Sequence, residues 1–258
     1  LAKQLSKYMF DSEDSLIRVD MSEYMEKISL TKIQGAAPGY VGYDDSSFLD
    51  KIRTKPYSVV LFDEIEKAHQ DVFNIFLQML DDGYVTDSHG RKVSFKNCVI
   101  LMTSNVGTKK VKDFGSGVGF NTKARKDSKS NDVKGILEKE LKNKFAPEFI
   151  NRLDDIIYFK DLEKDDIMKI VDLELKKTIK KAENIGYNLS IRKSLKEHLV
   201  EVGYDSKYGA RPLKRAIQKW IDDYITKFLL ENSPEKGSKL GIKYDKNNDK
   251  SVVSVINK

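Results

Sequence analysis

The sequence predicts an α/β protein, with a mostly parallel sheet flanked by helices in residues 1–160 and a small helical domain with short terminal strands in residues 161–258. Three observations predict this fold. Residues 58–62 form a mostly apolar run, which is typical of a strand buried on both faces in a parallel sheet. Helical spacing follows in residues 69–80. After residue 160, helical spacing dominates until two short β-runs near the end of the chain.

Each element of the first domain is predicted from a local signal. Residues 1–10 have helical spacing, and the polar stretch over 107–132 predicts a long loop, which in a compact domain is usually functional or disordered. The other predicted elements are a strand over 16–21, a helix over 46–55 that Pro56 ends, a hairpin opened by Asp82 and Gly83, a buried strand over 97–103 and a helix over 133–145.

The second domain is predicted to consist mainly of amphipathic helices. A strand is predicted over 156–159, at the boundary between the two domains. The helices are marked by apolar residues over 167–179, by Leu195 and Leu199, and by apolar residues over 213–229, and strands are predicted over 240–244 and 252–256.

Composition narrows the function classes. The chain is 258 residues long, 40% hydrophobic and 33% charged, with a formal net charge of +6 and a pI near 9.0. Its basic residues alternate with acids rather than forming a long block, so nucleic-acid binding is not predicted. Cys98 is the single cysteine, which excludes an intrachain disulfide. No apolar stretch is long enough to span a bilayer.

Asp63 and Glu64 are the main candidates for chemistry. They follow the apolar run directly, so they are predicted to lie at the carboxyl edge of the sheet, where open α/β folds bind ligands. Asp63 is suited to hold Mg²⁺ through its water shell, and Glu64 to orient a water for attack on a phosphate. This arrangement is a Walker B motif. The alternative is a strand that ends in a solvated acidic turn.

Further short motifs occur in a defined order along the chain. They include an aromatic residue between glycines at Gly39–Gly42, Asn105 after its own strand, Arg152 after Phe149, and Arg211 before Pro212. With the Walker B motif, they resemble the second ATPase module of the Clp unfoldases, a branch of the AAA+ family. The resemblance covers nearly the whole chain and is nearest to the ClpC group among ClpA, ClpB and ClpC.

The resemblance implies a role for each motif residue at the nucleotide. Asp63 would bind the metal and Glu64 would act on the water. Asn105 matches sensor 1, an amide that helps to hold the attacking water. Arg152 matches the arginine finger, which acts on the neighbouring subunit's nucleotide. Arg211 matches sensor 2, whose fork binds phosphate oxygens.

Each of these three residues also has an ordinary structural explanation. Asn105 could be a helix cap or turn residue. Arg152 could be a surface residue paired with Asp154 or Asp155. Arg211 precedes a proline that is itself a good helix start.

Two loops match substrate and protease contacts in the same family. Tyr40, Val41 and Gly42 resemble the central-pore loop, in which an aromatic residue on a pivoting backbone grips any polypeptide. A glycine-proline turn with a packed tyrosine is the alternative. Val118, Gly119 and Phe120 resemble the tripeptide with which ClpC docks on the ClpP protease, unless Phe120 folds back on the protein. The hairpin over 81–95 resembles a second pore loop, with Tyr84, His89 and Arg91 as candidates.

One family motif is absent from the sequence. No Walker A pattern (Gly-x-x-x-x-Gly-Lys-Ser/Thr) occurs. In the family, that loop lies immediately before a helix that resembles residues 1–5. We therefore expect this chain to be a fragment truncated just after the Walker A, one that binds ATP weakly or not at all by itself and is inactive.

The resemblance implies that the full protein is an ATP hydrolase, with ATP and Mg²⁺, in a homo-hexameric ring. Its expected partners are unfolded protein substrates, adaptors and a ClpP-type protease, and neither nucleic acid nor a membrane. A soluble location is expected, in a bacterial cytoplasm or in the stroma of a plastid-type organelle such as a chloroplast or apicoplast. Two alternatives stay open: a ClpB-type disaggregase without a protease and, for this chain alone, a non-catalytic ring-assembly module.

Overall fold

The computed structural model describes residues 1–26, 33–35, 47–115, 123–205 and 209–256. The chain divides into two compact units, Leu1–Tyr158 and Phe159–Lys258. None of the helices within these ranges is long and apolar enough to cross a bilayer.

The first unit alternates helices and strands. In the described part its elements, in chain order, are α1 (Ala2–Phe10), β1 (Leu16–Asp20), α2 (Phe48–Thr54), β2 (Ser58–Asp63), α3 (Gln70–Asp82), β3 (Tyr84–Thr86), β4 (Lys92–Ser94), β5 (Cys98–Met102), α4 (Thr108–Gly115), α5 (Lys123–Lys144) and α6 (Pro147–Ile150).

A parallel sheet organises this unit. Within the described ranges it has the order β1-β2-β5, so that β2 lies in the middle. Asp20 pairs with Asp63 across β1 and β2, and Phe62 pairs with Met102 across β2 and β5. Ser58, Val59, Val60 and Phe62 are almost fully buried, as expected for a central strand covered on both faces.

Aromatic residues join the sheet to the helix that follows it. Phe62 of β2 meets Phe76 of α3 with ring centroids 4.8 Å apart. Phe73, also on α3, packs edge-on against Phe149 of α6 at 5.2 Å. Such pairs contribute about 0.5–1.5 kcal/mol each beyond the burial of their area. The core therefore fixes the end of β2, from which the acidic residues project.

The second unit combines helices with a small sheet. Its described elements are α7 (Lys164–Asn184), β6 (Asn188–Ile191), α8 (Lys193–Val202), α9 (Leu213–Ile217), a π-helical turn (Gln218–Asp222), α10 (Asp223–Asn232), β7 (Lys239–Asp245) and β8 (Lys250–Val255). Strand β7 lies between β6, which is parallel to it, and β8, which is antiparallel.

The predicted fold class is confirmed, and three local expectations need correction. The strand predicted over 156–159 does not form, and Ile157 and Phe159 are 67% and 77% exposed. An apolar run without a partner strand has no hydrogen-bonded ladder to join. The loop predicted over 107–132 contains the helix α4 and the first residues of α5. Strand β6 was not predicted.

Gly203 follows α8 at a point where the chain leaves no room for a side chain. A Cβ placed there would lie 2.5 Å from the carbonyl oxygen of Leu199 and 2.7 Å from Cδ1 of Leu213. The carbonyl is backbone, and Leu213 is itself buried. Neither neighbour can therefore move aside easily.

We expect Gly203→Ala to destabilise the second unit by about 1–3 kcal/mol, because overpacking forces the backbone to shift. Gly135→Ala is the matched control. Gly135 lies in helix α5 with no heavy atom within 4 Å of the added Cβ, so alanine there should stabilise the helix by up to about 1 kcal/mol. Urea unfolding of both variants tests this. Equal effects of the two substitutions would contradict the steric explanation.

Candidate functional site

The register of the parallel sheet brings polar residues together at its carboxyl edge. Asp20 and Asp63 are direct neighbours across β1 and β2. Thr103 follows Met102, which pairs with Phe62. Because parallel strands all end on the same side, these three residues line one edge, where open α/β sheets bind ligands.

Glu64 turns the chain away from this edge in an unusual conformation. Its backbone has φ 57° and ψ 50°, in the left-handed region. Residues other than glycine rarely adopt this conformation unless their surroundings impose it. Here the Glu64 N–H donates to Thr103 Oγ1 at 3.1 Å, and the next N–H, of Ile65, donates to the Thr103 carbonyl at 3.0 Å. The turn is therefore fixed by the end of β5.

Asp63 has two side-chain partners. The Thr103 hydroxyl donates to Oδ1, and the Arg18 guanidinium pairs with Oδ2. The Asp63 side chain is 25% exposed, so solvent and ligands reach it. The described ranges contain no cluster of three or more potential metal-ligating side chains. Mg²⁺ suits such a place, because it is usually held by one or two carboxylates together with waters and substrate phosphates.

Lys67 faces the acids of this edge. Its ammonium donates to Glu64 Oε2 at 2.5 Å. This hydrogen bond, with the nearby Asp20 and Glu66 carboxylates, raises the pKa of Lys67. Glu64 therefore has a positively charged neighbour on the turn that follows it.

Asp20 is a site residue that the sequence reasoning missed. The Ser22 hydroxyl and the Ser22 N–H, at 2.5 and 3.0 Å, both donate to Asp20 Oδ1. These bonds lower the pKa of Asp20, with a smaller contribution from the Arg18 charge. A signal was available, because Asp20 ends its strand as Asp63 ends β2. The sequence alone does not show that β1 and β2 are neighbouring strands.

Asn105 lies beside the acidic turn. Its N–H donates to Glu66 Oε1 at 3.1 Å, and its carbonyl accepts the Thr108 hydroxyl at 2.8 Å. The second oxygen of Glu66 is buried and has no hydrogen-bond partner in the described part of the chain. The structure therefore brings the backbone of Asn105 together with the turn that contains Asp63 and Glu64.

The structure places Arg152 elsewhere. Its guanidinium pairs with Asp81 in the last turn of α3, rather than with Asp154 or Asp155. The start of α3 lies near the carboxyl edge of the sheet, because the His69 N–H donates at 2.9 Å to the carbonyl of Tyr24, four residues after the end of β1. At 1.5 Å per residue, Asp81 lies roughly 16 Å along the helix from that start. Arg152 is therefore not brought to Asp63 of its own chain.

Arg211 belongs to the second unit, so the geometry of the edge does not include it. It is exposed and lies two residues after Gly209, whose backbone exchanges hydrogen bonds of 3.0 and 2.7 Å with that of Asp205. Gly209 has φ 61°, a conformation that glycine adopts without strain. Arg211 thus lies directly before Pro212, the residue that caps the start of α9.

The candidate loop residues fall outside the described residues: Tyr40, Val41, Gly42, Val118, Gly119 and Phe120. The hairpin over 81–95, which resembles a second pore loop, lies within the described residues. In it, Arg91 Nε donates to Asp87 Oδ2 at 2.6 Å, and Arg91 also pairs with Asp50 at 3.3 Å. The Asp87 carboxylate is buried. Burial alone would raise its pKa, but hydrogen bonds from Arg91 and from the His89 N–H, together with the Arg91 charge, lower the pKa of Asp87 overall. Arg91 therefore links the hairpin to Asp50 of α2.

Comparison with known proteins identifies the protein family. Residues 1–156 match the family described as AAA domain (Cdc48 subfamily). Residues 162–242 match the C-terminal, D2-small domain of ClpB protein. The first match spans more than half of the chain, and the chain belongs to this AAA domain family. The resemblance to the second AAA+ module of a Clp-type ATPase is confirmed.

The chain is also similar to individual proteins of the Clp group. The chain is 49% identical over 247 residues to the ATP-dependent Clp protease ATP-binding subunit ClpC of Staphylococcus saprophyticus, covering 95% of this chain and 30% of that protein. It is 51% identical over 240 residues to the ClpE subunit of Streptococcus pneumoniae, covering 93% and 31%. The chain therefore spans about a third of the length of these curated relatives.

A solved structure shows the same fold. The cryo-EM reconstruction of Hsp104 in its closed state with ATPγS and FITC casein matches with a TM-score of 0.80 and 35% identity. The match covers 98% of this chain and 42% of the Hsp104 chain.

Proposed function

We propose that the intact protein hydrolyses ATP in a homo-hexameric ring and uses this energy to unfold polypeptides and thread them through a central pore. The observation that carries the proposal is the carboxyl edge of the sheet. There Asp63 and Glu64 follow each other at the end of β2, and the backbone of Asn105 contacts the same turn through Glu66. Membership of the AAA domain family and the similarity to Clp ATPases support the same conclusion.

Each residue of the edge has a proposed task. Asp63 would hold Mg²⁺, which neutralises charge on the phosphates when it is bound. Glu64 would orient the attacking water and accept its proton. Asn105 would help to hold the same water with its side-chain amide. Lys67 keeps the Glu64 carboxylate paired in the present geometry, so catalysis would require Glu64 to exchange this partner for water.

Arg152 is proposed to act on a neighbouring subunit. The length of α3 separates it from the edge of its own chain, and its partner Asp81 is 39% exposed. A surface ion pair of this kind contributes only about 0–1 kcal/mol, so Arg152 can leave Asp81 when a triphosphate in an adjacent subunit approaches. Arg211 is proposed to reach the phosphates from the second unit.

Tyr40, Val41 and Gly42 are proposed to grip the substrate in the pore. Val118, Gly119 and Phe120 are proposed to dock on a ClpP-type protease. The names of the relatives, which are ATP-binding subunits of Clp proteases, support this partnership. The Hsp104 complex with casein supports a polypeptide substrate. A bacterial cytoplasm or plastid-type stroma, and delivery by adaptors, remain predictions.

The role of Glu64 is tested by Glu64→Gln in the intact protein. We expect binding of ATP to persist, because Gln keeps the size of the side chain, and the turnover number to fall by on the order of 10²–10⁴, because the base is lost. Equilibrium binding of a fluorescent ATP analogue and steady-state phosphate release are the measurements. Phosphate release near the wild-type rate would exclude Glu64 as the base.

The role of Arg152 is tested by mixing variants. Arg152→Ala rings should lose on the order of 10³-fold in turnover, as arginine fingers do, and Glu64→Gln rings should also be inactive. In mixed rings, a Glu64→Gln subunit supplies its Arg152 to a neighbour that has an intact Glu64. Activity should then exceed the sum of the two separate preparations. If Arg152 acts within its own chain, mixing will restore nothing.

The protease partnership is tested by replacing residues 118–120 with serines. Degradation of casein with a ClpP-type peptidase should be lost. ATP hydrolysis by the ring should stay at the wild-type level, because Asp63 and Glu64 are unchanged. An equal replacement at 125–127, in the same polar segment, is the control. Degradation unaffected by the change at 118–120 would favour the disaggregase alternative.

A further inference from the structure

Thr103 makes four hydrogen bonds to the chain segment 62–65. Its N–H donates to the Phe62 carbonyl at 2.9 Å, and its carbonyl accepts the Ile65 N–H at 3.0 Å. Its hydroxyl donates to Asp63 Oδ1 and accepts the Glu64 N–H at 3.1 Å. One residue at the end of β5 thus contacts both acids of the Walker B motif.

We propose that Thr103 is a positioning residue, whose hydroxyl sets the Asp63 carboxylate and the Glu64 backbone in a fixed relation to each other. This inference rests on the proposed function, since it concerns how the two acids are aligned for ATP hydrolysis. Thr103 acts through Asp63 and Glu64 and is given no contact with the nucleotide.

The chemistry requires a hydroxyl at this place. A hydroxyl donates one hydrogen bond and accepts others through the same oxygen atom. Asp63 offers only acceptors when it is ionised, and the Glu64 N–H is only a donor. A single atom that serves both must therefore be able to donate and accept, which a methyl group cannot do.

The conformation of Glu64 explains why this contact matters. A left-handed backbone at a residue other than glycine is unfavourable and persists only where neighbours impose it. The Thr103 hydroxyl satisfies the N–H of Glu64 itself. Without it, the turn can relax, and the Glu64 side chain would then project from a displaced backbone.

The same contact has little to do with the stability of the fold. Thr103 is exposed, and its two backbone hydrogen bonds do not depend on its side chain. The hydrophobic contacts of β2 are made by Val59, Val60 and Phe62, which are buried elsewhere in the strand. Loss of the hydroxyl should therefore change the alignment of the acids and leave the fold intact.

The test compares Thr103→Val, Thr103→Ala and Thr103→Ser in the intact protein. Thr54→Val is the matched control, because the Thr54 hydroxyl is also exposed and donates only to carbonyls of its own helix, at 2.9 and 3.1 Å. The measurements are kcat and KM for ATP, the Kd of an ATP analogue in the presence of Mg²⁺, and the unfolding temperature.

We expect Thr103→Val and Thr103→Ala to lower kcat by on the order of 10²-fold, the effect of a misplacement of about 1 Å. The KM and Kd should change by less than about threefold, since less than 0.7 kcal/mol of binding is involved. Thr103→Ser should keep kcat within about threefold of the wild type. Thr54→Val should change none of these quantities.

Two outcomes would overturn the inference. One is a kcat near the wild-type value in both variants that lack the hydroxyl. The other is an equal loss in Thr103→Ser, which would show that the methyl group or the fold, and not the hydroxyl, is responsible. Glu64→Gln separates these failures from failure of the proposed function. If Glu64→Gln is inactive while Thr103→Val is active, only the role of Thr103 is wrong.

Discussion

The parallel register of β1, β2 and β5 is the constraint on which the rest of the first unit depends. It aligns Asp20 with Asp63 and places Thr103 immediately beyond the Phe62–Met102 pair. A shift by one residue would turn every side chain of a strand to the opposite face. Phe62 would then leave its contact with Phe76, and Asp63 would point into the core. The apolar packing and the acidic edge are therefore set by the same alignment.

This alignment explains how an unfavourable turn survives. The Glu64 backbone is strained, and its neighbourhood contains several acids. Thr103 satisfies the donors of the turn, and Lys67 and Arg18 offset the negative charge. The contact between the buried rings of Phe62 and Phe76 holds β2 in place. Strain of this kind is typical of functional sites, where surrounding structure imposes a conformation that the chain would otherwise avoid.

The sequence predicted what local patterns encode. The apolar run before Asp63 indicated β2 and the acids that follow it, and helical spacing indicated α3 and α7. It could not reveal Thr103, because no pattern within one strand shows which residue lies across the sheet. The same holds for Arg152, whose partner Asp81 is distant in the chain.

Local patterns also misled in three places. The run over 156–159 has strand-like residues and no partner strand. Strand β6 is only four residues long and is formed by pairing with β7, which lies about fifty positions later. The first turns of α5 have a polar sequence without an apolar stripe, so helical spacing did not indicate a helix there. In the first two cases a contact with a distant segment, or its absence, decided the structure.

The most direct test of the account is a structure of the intact protein with Mg²⁺ and a slowly hydrolysed ATP analogue. The account predicts that the triphosphate lies at the carboxyl edge of the sheet, with the metal beside Asp63, the γ-phosphate facing Glu64 and Asn105, and Arg152 of an adjacent subunit approaching the same phosphate. A nucleotide bound away from Asp63 and Glu64 would contradict it.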